Sequence, residues 1–261
     1  MGLTRSDDLA LALALADEAD AISMSRYRAE DLIVDTKPDL TPVTEADRAV
    51  EDALRRHLMA ERPGDLILGE EYGGQPSATG RQWVIDPIDG TKSYVRGVPV
   101  WATLIALVVD GRAELGVVSA PALARRWWAA PGAGSHVQGP EGQRAILVSA
   151  VAALADASFS FSDHVGWQPG ALEALTGATW RSRGYGDFWS HLLVAEGAVD
   201  IAAEPELNTW DIAALIPIIE LAGGTVTAYD GSPALLAGSG LSTNGLLHAQ
   251  ALAAIAPANL R

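Results

Sequence analysis

Cysteine is absent from this 261-residue chain, and lysine occurs only twice, as Lys37 and Lys92. Without cysteine the chain can form no disulfide and no thiolate metal site, which is typical of cytoplasmic proteins. No apolar run approaches the ~20 residues that a membrane-spanning helix needs, and we expect no signal peptide. The sequence therefore predicts a cytoplasmic protein with no membrane partner.

Positive charge is also scarce, because 33 acidic residues outweigh 18 lysines and arginines and leave a formal charge of −15. This balance excludes nucleic acid as a partner, since binding its phosphates requires clustered basic side chains. Apolar residues make up 49% of the chain. That content allows a sizeable core, in one large domain or in two closely packed halves.

Hydrophobic periodicity and turn residues divide the chain into helices and strands. Helices are predicted at 6–27, 43–62, 168–175, 187–196 and 211–222 and from about 246 onward. Strands are predicted at 32–34, 66–68, 83–85, 98–109, 114–119, 126–130, 146–149, 158–161, 180–183, 199–202 and 225–229. Pro217 is expected to kink the helix that contains it, because proline removes a helical hydrogen bond. The regular alternation after residue 180 predicts a layered α/β second half.

The densest chemistry lies where a short buried strand leads into the sequence D-P-I-D-G-T at 86–91. We expect Pro87 to end the strand, because proline has no N–H to donate to the ladder. Asp86, Asp89 and the Ile88 carbonyl would then present three hard oxygens on one rigid turn. Such oxygens suit a divalent cation, in particular Mg²⁺.

Gly90 and Thr91 close this segment and are predicted to open a helix. The backbone N–H groups at a helix N-terminus bind anions, so this turn would offer a cation site on one side and an anion site on the other. The alternative is an Asp-rich surface turn. Acids at three other element ends favour the functional interpretation.

Those further acids are Glu70 and Glu71 after the 66–68 strand, Asp211 at the start of a helix, and Asp47 in the second helix. Each has an ordinary explanation: two adjacent acids at a strand end are often only solvated, and an aspartate at a helix N-terminus interacts favourably with the helix dipole. Thr44 and Asp47 also have the spacing of a capping box.

The sequence D-P-I-D-G-T resembles the first signature of the inositol-monophosphatase superfamily of Mg²⁺-dependent phosphatases. Trp210-Asp211, followed by A-G-G at 222–224, matches its second signature, W-D-x-A. The resemblance implies an α/β protein built as a layered α-β-α-β-α sandwich. It implies an α+β half at 1–150 with most metal ligands and an α/β half at 151–261 with the specificity residues and Asp211, acting as one functional unit. Relatives are commonly homodimers.

The resemblance also implies roles for individual residues. Two to three Mg²⁺ ions would activate a water molecule and stabilise the leaving oxygen. Because four carboxylates carry four negative charges, two ions cancel them and a third makes the pocket receptive to a phosphate ester. The implied metal ligands are Glu70, Asp86, Ile88 through its carbonyl, Asp89 and Asp211, and the implied catalytic residues are Thr91, Asp47 and Glu70.

Substrate binding is assigned to the site turn and to residues of the second half, namely Asp89, Gly90, Thr91, Arg183, Asp187, Glu204 and Asp211. Glu204 lies seven residues before Asp211, as in inositol-specific relatives, where that glutamate contacts the substrate hydroxyls. Asp187 departs from the small neutral residue of those relatives. A second carboxylate suggests a substrate that carries positive charge, because a buried anion is costly unless paired. The alternative for Asp187 is a helix N-cap.

The chain also resembles the histidinol-phosphatases of the inositol-monophosphatase type found in actinobacteria, at 35–44, 80–83, 91–101, 126–130 and 194–200. This resemblance implies hydrolysis of L-histidinol phosphate in histidine biosynthesis. One alternative is an inositol-1-phosphate or broad-specificity sugar-phosphate monophosphatase. A more remote one is a relative that binds metal and phosphate without catalysis, and the retention of all the acids argues against it.

Overall fold

The computed structural model describes residues 5–38 and 40–256. Its helices are α1 (Arg5–Arg26), α2 (Glu45–Glu61), α3 (Thr91–Val95), α4 (Ala171–Ala178), α5 (Asp187–Ala195), α6 (Thr209–Ile212), α7 (Leu215–Leu221) and α8 (His248–Ile255). Its strands are β1 (Val34–Thr36), β2 (Pro42–Thr44), β3 (Leu66–Gly69), β4 (Arg81–Asp89), β5 (Ala102–Val109), β6 (Arg112–Ala120), β7 (Arg125–Ala130), β8 (Gly134–Gly139), β9 (Gly142–Ala145), β10 (Ser158–Ser160), β11 (Arg181–Arg183), β12 (Ile201–Glu204), β13 (Thr225–Thr227) and β14 (Gly240–Thr243).

Two sheets drawn from different parts of the chain form the framework. The seven-stranded sheet runs in chain order from β3 to β9 and is antiparallel except between β3 and β4. The five-stranded sheet has the order β11-β10-β12-β14-β13, with β10 parallel to both its neighbours. Strands β1 and β2 pair separately.

Helices cover both faces of each sheet. Helices α1 and α2 pack against one face of the seven-stranded sheet, on a core that includes Trp83 and Ile85. Helices α5, α6 and α7 lie between the sheets, and their core includes Val84 from the opposite face of β4. Helices α4 and α8 pack together on the outer side of the five-stranded sheet. Because β4 is covered on both faces, its central residues 83–85 are all apolar instead of alternating with polar ones. The predicted α-β-α-β-α sandwich is confirmed.

The prediction that Pro87 ends its strand is wrong, because β4 continues to Asp89. The register with β5 shifts between Asp86 and Asp89. An irregularity of this kind leaves a residue outside the regular ladder, so the missing N–H of Pro87 breaks no required hydrogen bond. The hydroxyl of Thr103 donates to the Pro87 carbonyl at 2.8 Å and holds the distorted segment in place.

The single helix predicted at 211–222 is two short helices, α6 and α7. A proline ring clashes with the carbonyl four residues earlier, which for Pro217 is that of Ala213, and the break falls at this point. The strand predicted at 146–149 has no regular secondary structure. Within the described residues, no helix has both the length and the apolar content to cross a membrane.

Candidate metal centre and active site

Three aspartates from two distant parts of the chain meet at the edge of the seven-stranded sheet. Asp86 and Asp89 come from the irregular end of β4, and Asp211 comes from α6. One carboxylate oxygen of each lies within 4.8 Å of the corresponding oxygens of the other two. Asp86 is only 2% exposed. The shift of register in β4 is therefore what turns two aspartates of one strand toward a third.

The cluster is electrostatically unfavourable without a cation. Burial raises the pKa of Asp86 and of Asp89 well above the usual range, and neighbouring carboxylates raise both further. Burial also raises the pKa of Asp211 to about 7. The carboxylates of Glu70, Asp89 and Asp211 all raise the pKa of Asp86, and its Oδ1 is buried without a hydrogen-bond partner. A hard divalent cation supplies the missing partner and offsets the repulsion, so these residues fit a metal ion.

Glu70 lies next to this cluster and is held by a lysine. The Nζ of Lys37 lies 2.7 Å from Glu70 Oε1 and 2.6 Å from Glu71 Oε1. Burial nonetheless raises the pKa of Glu71 to about 7. Lys37 therefore already supplies one positive charge beside the cluster.

Thr91 begins α3 directly beside the aspartates. Its Oγ1 lies 3.0 Å from the Ile88 carbonyl oxygen and 3.3 Å from Asp47 Oδ1. The other oxygen of Asp47 accepts from the backbone N–H of Thr44 at 2.8 Å, as part of a capping box at the start of α2. One carboxylate thus caps a helix and contacts the threonine of the site, and a catalytic role for Asp47 stays a prediction.

The turn at Gly90 has no room for a side chain. Its φ is +81°, in the left-handed region, and a Cβ would lie 2.8 Å from the Val100 carbonyl oxygen and 3.1 Å from Asp187 Oδ2. The helix begins at the next residue, so the first backbone N–H groups are not used by helical hydrogen bonds. Glycine therefore lets the backbone of this turn approach the residues across the cavity.

A cavity of about 340 Å³ lies beside the aspartate cluster. We call the part that is lined by Glu70, Asp89, Gly90, Thr91 and Asp211 the metal end, and the remainder the far end. The far end is lined by Ser162, Asp163, Asp187, His191, Glu204 and Glu206, among others. Acidic side chains thus occur at both ends.

A chain of short hydrogen bonds links the far end to the metal end. Ser162 donates to Glu204 Oε1 at 2.6 Å and accepts from the backbone N–H of Asp187 at 2.7 Å. The N–H of Phe188 donates to Asp89 Oδ2 at 2.8 Å. The first turn of α5 therefore contacts a predicted metal ligand and the predicted specificity residues at once.

Asp187 is not the N-cap of its helix. The N-cap position belongs to Gly186, and Asp187 has a φ of +47°, a conformation that costs an aspartate energy and is common at functional sites. Burial raises the pKa of Asp187 to about 6 although Lys92 lowers it, whereas burial raises that of Glu204 to about 8. Of the two, Glu204 is less well compensated, because the other charges that shift its pKa are the carboxylates Asp187 and Asp163.

The family model described as the inositol monophosphatase family matches residues 5–260 of this sequence. The chain belongs to the inositol monophosphatase family. It is 58% identical to the histidinol-phosphatase of Mycobacterium tuberculosis, over 94% of this chain and 96% of that protein. It is 52% identical to the histidinol-phosphatase of Streptomyces coelicolor, over the same shares of the two chains. Among solved structures, an inositol monophosphatase from Zymomonas mobilis is 33% identical with a TM-score of 0.85, covering 97% of this chain and 99% of that one.

In this inositol-monophosphatase chain, the structure brings together all but one of the residues that the sequence assigned to the site. Arg183 is the exception, because it is exposed at the end of β11 and is not among the residues that line the cavity. Its guanidinium donates to the carbonyl of the adjacent Ser182 at 2.7 Å. A substrate role for Arg183 stays a prediction that the position of the side chain does not support.

Sequence reasoning missed several residues of the far end, among them Ser162, Asp163, His191 and Glu206. The first two follow β10, whose neighbour in the sheet is β12, and Glu206 follows β12 itself. That the ends of β10 and β12 lie side by side could not be read from the sequence. His191 could have been found, because residues four apart share a helix face and it lies four residues after Asp187.

Proposed function

We propose that this protein is a Mg²⁺-dependent phosphatase that hydrolyses L-histidinol phosphate to L-histidinol and inorganic phosphate, as in histidine biosynthesis. The single observation that carries the proposal is the cavity with an aspartate cluster at one end and Glu204 and Asp187 at the other. The two similar proteins named histidinol-phosphatase, at 58% and 52% identity, support the choice of substrate.

The metal end would hold the ions and the phosphate. Asp86, Asp89, Asp211, Glu70 and the Ile88 carbonyl are the proposed ligands of two to three Mg²⁺ ions. When bound, such ions lower the pKa of a water molecule and stabilise the charge that develops on the leaving oxygen.

The neighbouring residues of the chain position the reactants. The Thr91 hydroxyl, 3.3 Å from Asp47 Oδ1, would accept a hydrogen bond from the attacking water or donate one to it. The backbone N–H groups of Gly90 and Thr91 would hold phosphate oxygens, because they open a helix and are not used within it. Water would attack in line, and no covalent intermediate with the enzyme is required.

The far end would recognise the alcohol part of the substrate. Glu204 is 7% exposed, has a pKa of about 8 because of its burial, and is not balanced by a nearby cation among the groups that shift it. Binding an ammonium or imidazolium group would pair this carboxylate. L-Histidinol phosphate offers both kinds of group, whereas inositol 1-phosphate offers only hydroxyls.

Hydrolysis of inositol 1-phosphate or of sugar phosphates is the second candidate. Lys92 lies close enough to Asp187 to lower its pKa, so Asp187 does not by itself require a cationic substrate. The likeness to the Zymomonas mobilis inositol monophosphatase also favours this candidate. A relative without catalytic activity is disfavoured, since the carboxylates and Thr91 are all present.

The test is Mg²⁺-dependent phosphate release from L-histidinol phosphate and from inositol 1-phosphate, measured side by side on the purified protein. We expect histidinol phosphate to have a kcat/KM at least a hundredfold higher, with activity lost in chelator and restored by Mg²⁺. Equal or faster hydrolysis of inositol 1-phosphate would contradict the proposal. The cytoplasmic location, the homodimer and the division of the chain at residue 150 stay predictions.

A further inference from the structure

His191 lines the cavity and has a buried ring nitrogen without a hydrogen-bond partner. The residue is 1% exposed and is one of those that line the cavity. Its Nδ1 lies 2.7 Å from the hydroxyl oxygen of Ser242, whereas its Nε2 is buried without any hydrogen-bond partner. A buried polar atom without a partner loses its hydration and gains nothing in return, so its presence calls for an explanation.

His248, in the same C-terminal half of the chain, is an example of a histidine with a purely structural role. In His248, Nδ1 lies 3.0 Å from Thr243 Oγ1 and Nε2 lies 2.9 Å from Thr227 Oγ1. Both ring nitrogens thus have protein partners, and His248 is not among the residues that line the cavity. His136 also has a nitrogen without a partner, but it stacks on Trp128 in the other sheet, away from the cavity.

The fold places His191 beside the proposed specificity residues. It lies one helical turn after Asp187 on α5. Glu204 on β12 pairs with Gly240 on β14, and a Cβ added at Gly240 would lie 3.8 Å from Cε1 of His191. Cε1 lies between the two ring nitrogens, so the imidazole of His191 lies close to the strand position that pairs with Glu204.

The surrounding acids determine which kind of ligand group the free nitrogen would meet. A carboxylate can only accept hydrogen bonds, so a ligand group that pairs with the ionised form of Asp187 or Glu204 presents N–H or O–H donors. Binding a cationic group favours the ionised form of Glu204, whose pKa is otherwise raised to about 8 by burial. Burial lowers the pKa of His191 to about 4, so its ring is neutral and one nitrogen is an acceptor. If Nδ1 carries the proton and donates it to Ser242, Nε2 is the nitrogen that can accept a hydrogen bond. The far end then offers three acceptors for ligand N–H or O–H groups, namely Nε2 and the carboxylates of Asp187 and Glu204.

We propose that Nε2 of His191 accepts a hydrogen bond from an N–H group in the alcohol part of the substrate, an inference that rests on the function proposed above. His191 is then a specificity-determining residue. Together with Glu204, it binds the nitrogen-containing part of the substrate. It takes no part in activating the attacking water.

Two substitutions separate the roles of the two ring nitrogens. The amide of His191→Asn lies near the position of Nδ1 and can keep the contact with Ser242, whereas that of His191→Gln reaches the position of Nε2. The activities to compare are kcat/KM for L-histidinol phosphate and for p-nitrophenyl phosphate, which has no N–H group. For His191→Asn we expect kcat/KM to fall about tenfold with histidinol phosphate, because the loss of one hydrogen bond has about that effect. With p-nitrophenyl phosphate, kcat/KM should fall less than twofold. His191→Gln should retain most of the wild-type ratio.

The same substitutions at His248 are the matched control. They remove a fully satisfied imidazole, so they should lower the melting temperature without changing the ratio of the two activities. If His191 has only a structural role, the opposite pattern is expected. His191→Asn should then retain more activity than His191→Gln, and kcat/KM should change equally for both substrates. That pattern would overturn the inference.

A direct observation is the ¹⁵N NMR signal of the His191 ring in the Mg²⁺-loaded protein, titrated with L-histidinol in the presence of inorganic phosphate. We expect the Nε2 resonance to shift as it begins to accept a hydrogen bond, and an unchanged resonance at saturation would overturn the inference. If the wild-type protein does not hydrolyse histidinol phosphate, the proposed function and this inference both fail. If it does, and His191→Asn keeps the full substrate ratio, only this inference fails.

Discussion

Replacing Asp211 with asparagine should stabilise the metal-free protein at neutral pH. Burial and the charge of Glu70 raise the pKa of Asp211 from 3.8 to about 7. A carboxyl whose pKa is raised on folding costs no stability below its ordinary pKa, and the cost grows as the pH rises and levels off above the folded pKa. A shift of roughly three units at about 1.4 kcal/mol per unit gives a cost of about 4 kcal/mol at pH 8. The Asp211→Asn variant keeps the shape of the residue and avoids this cost.

The assay is thermal unfolding in chelator at pH 5 and pH 8. Because pH 5 lies about one unit above the ordinary pKa, roughly 1.5 kcal/mol of the cost is already present there, and roughly 2.5 kcal/mol develops between pH 5 and pH 8. In a protein of this size 1 kcal/mol corresponds to about 2–4 °C, so the melting temperature of the wild type should fall by roughly 5–10 °C more than that of Asp211→Asn between the two pH values. His191, whose burial lowers its pKa to about 4, destabilises both proteins toward acid and cancels in this comparison. Asp156→Asn, at an exposed position, is the control and should behave as the wild type.

Saturating Mg²⁺ should reverse the order, because a ligand that binds only the folded state stabilises it. The wild type should then melt above Asp211→Asn, which lacks one of the three clustered carboxylates. Equal pH dependence of the two metal-free proteins would refute the electrostatic argument. An equal gain of both proteins from Mg²⁺ would refute the assignment of Asp211 as a ligand.

Three further substitutions test other parts of the site. Gly90→Ala places a Cβ 2.8 Å from the Val100 carbonyl oxygen at a φ of +81°, so urea unfolding should show a loss of about 1–3 kcal/mol; unchanged stability would contradict the close approach. Lys37→Met frees Glu70 from its ion pair, so calorimetric titration should give a dissociation constant for Mn²⁺ about fivefold lower, in line with a pair worth about 1 kcal/mol. A weaker affinity would show that Lys37 supports the metal site. Thr91→Val should lower kcat by at least about a hundredfold, and Thr91→Ser, which keeps the hydroxyl, should lower it much less. Equal kcat values for the two variants would exclude a role for the hydroxyl.

Much of the fold could be predicted from the sequence because its signals are local. The hairpin at Asp110-Gly111, the long first helix and the alternating second half follow from turn residues and periodicity. Strands β8, β9 and β14 were missed because they are short and contain glycine, serine or other polar residues. The break between α6 and α7 falls four residues before Pro217, at a distance from the residue that causes it.

The metal end of the site could be predicted because its residues form short contiguous motifs. The far end could be predicted only in part, because Ser162 and Glu206 come together only through the pairing of strands β10 and β12. Arg183 was assigned to the site from the sequence but does not line the cavity. Nearness in sequence to Asp187 did not bring its side chain to the cavity, since β11 is the edge strand of its sheet.

The most direct test of the account compares two ratios. The kcat/KM for L-histidinol phosphate relative to inositol 1-phosphate should be measured with Mg²⁺ for the wild type and for Asp187→Ala, the position at which this chain departs from inositol-specific relatives. We predict a strong preference for histidinol phosphate in the wild type and a preference at least tenfold smaller in the variant. A wild type that hydrolyses inositol 1-phosphate as well or better, or a variant with an unchanged preference, would contradict the claim that the carboxylates of the far end select a positively charged substrate.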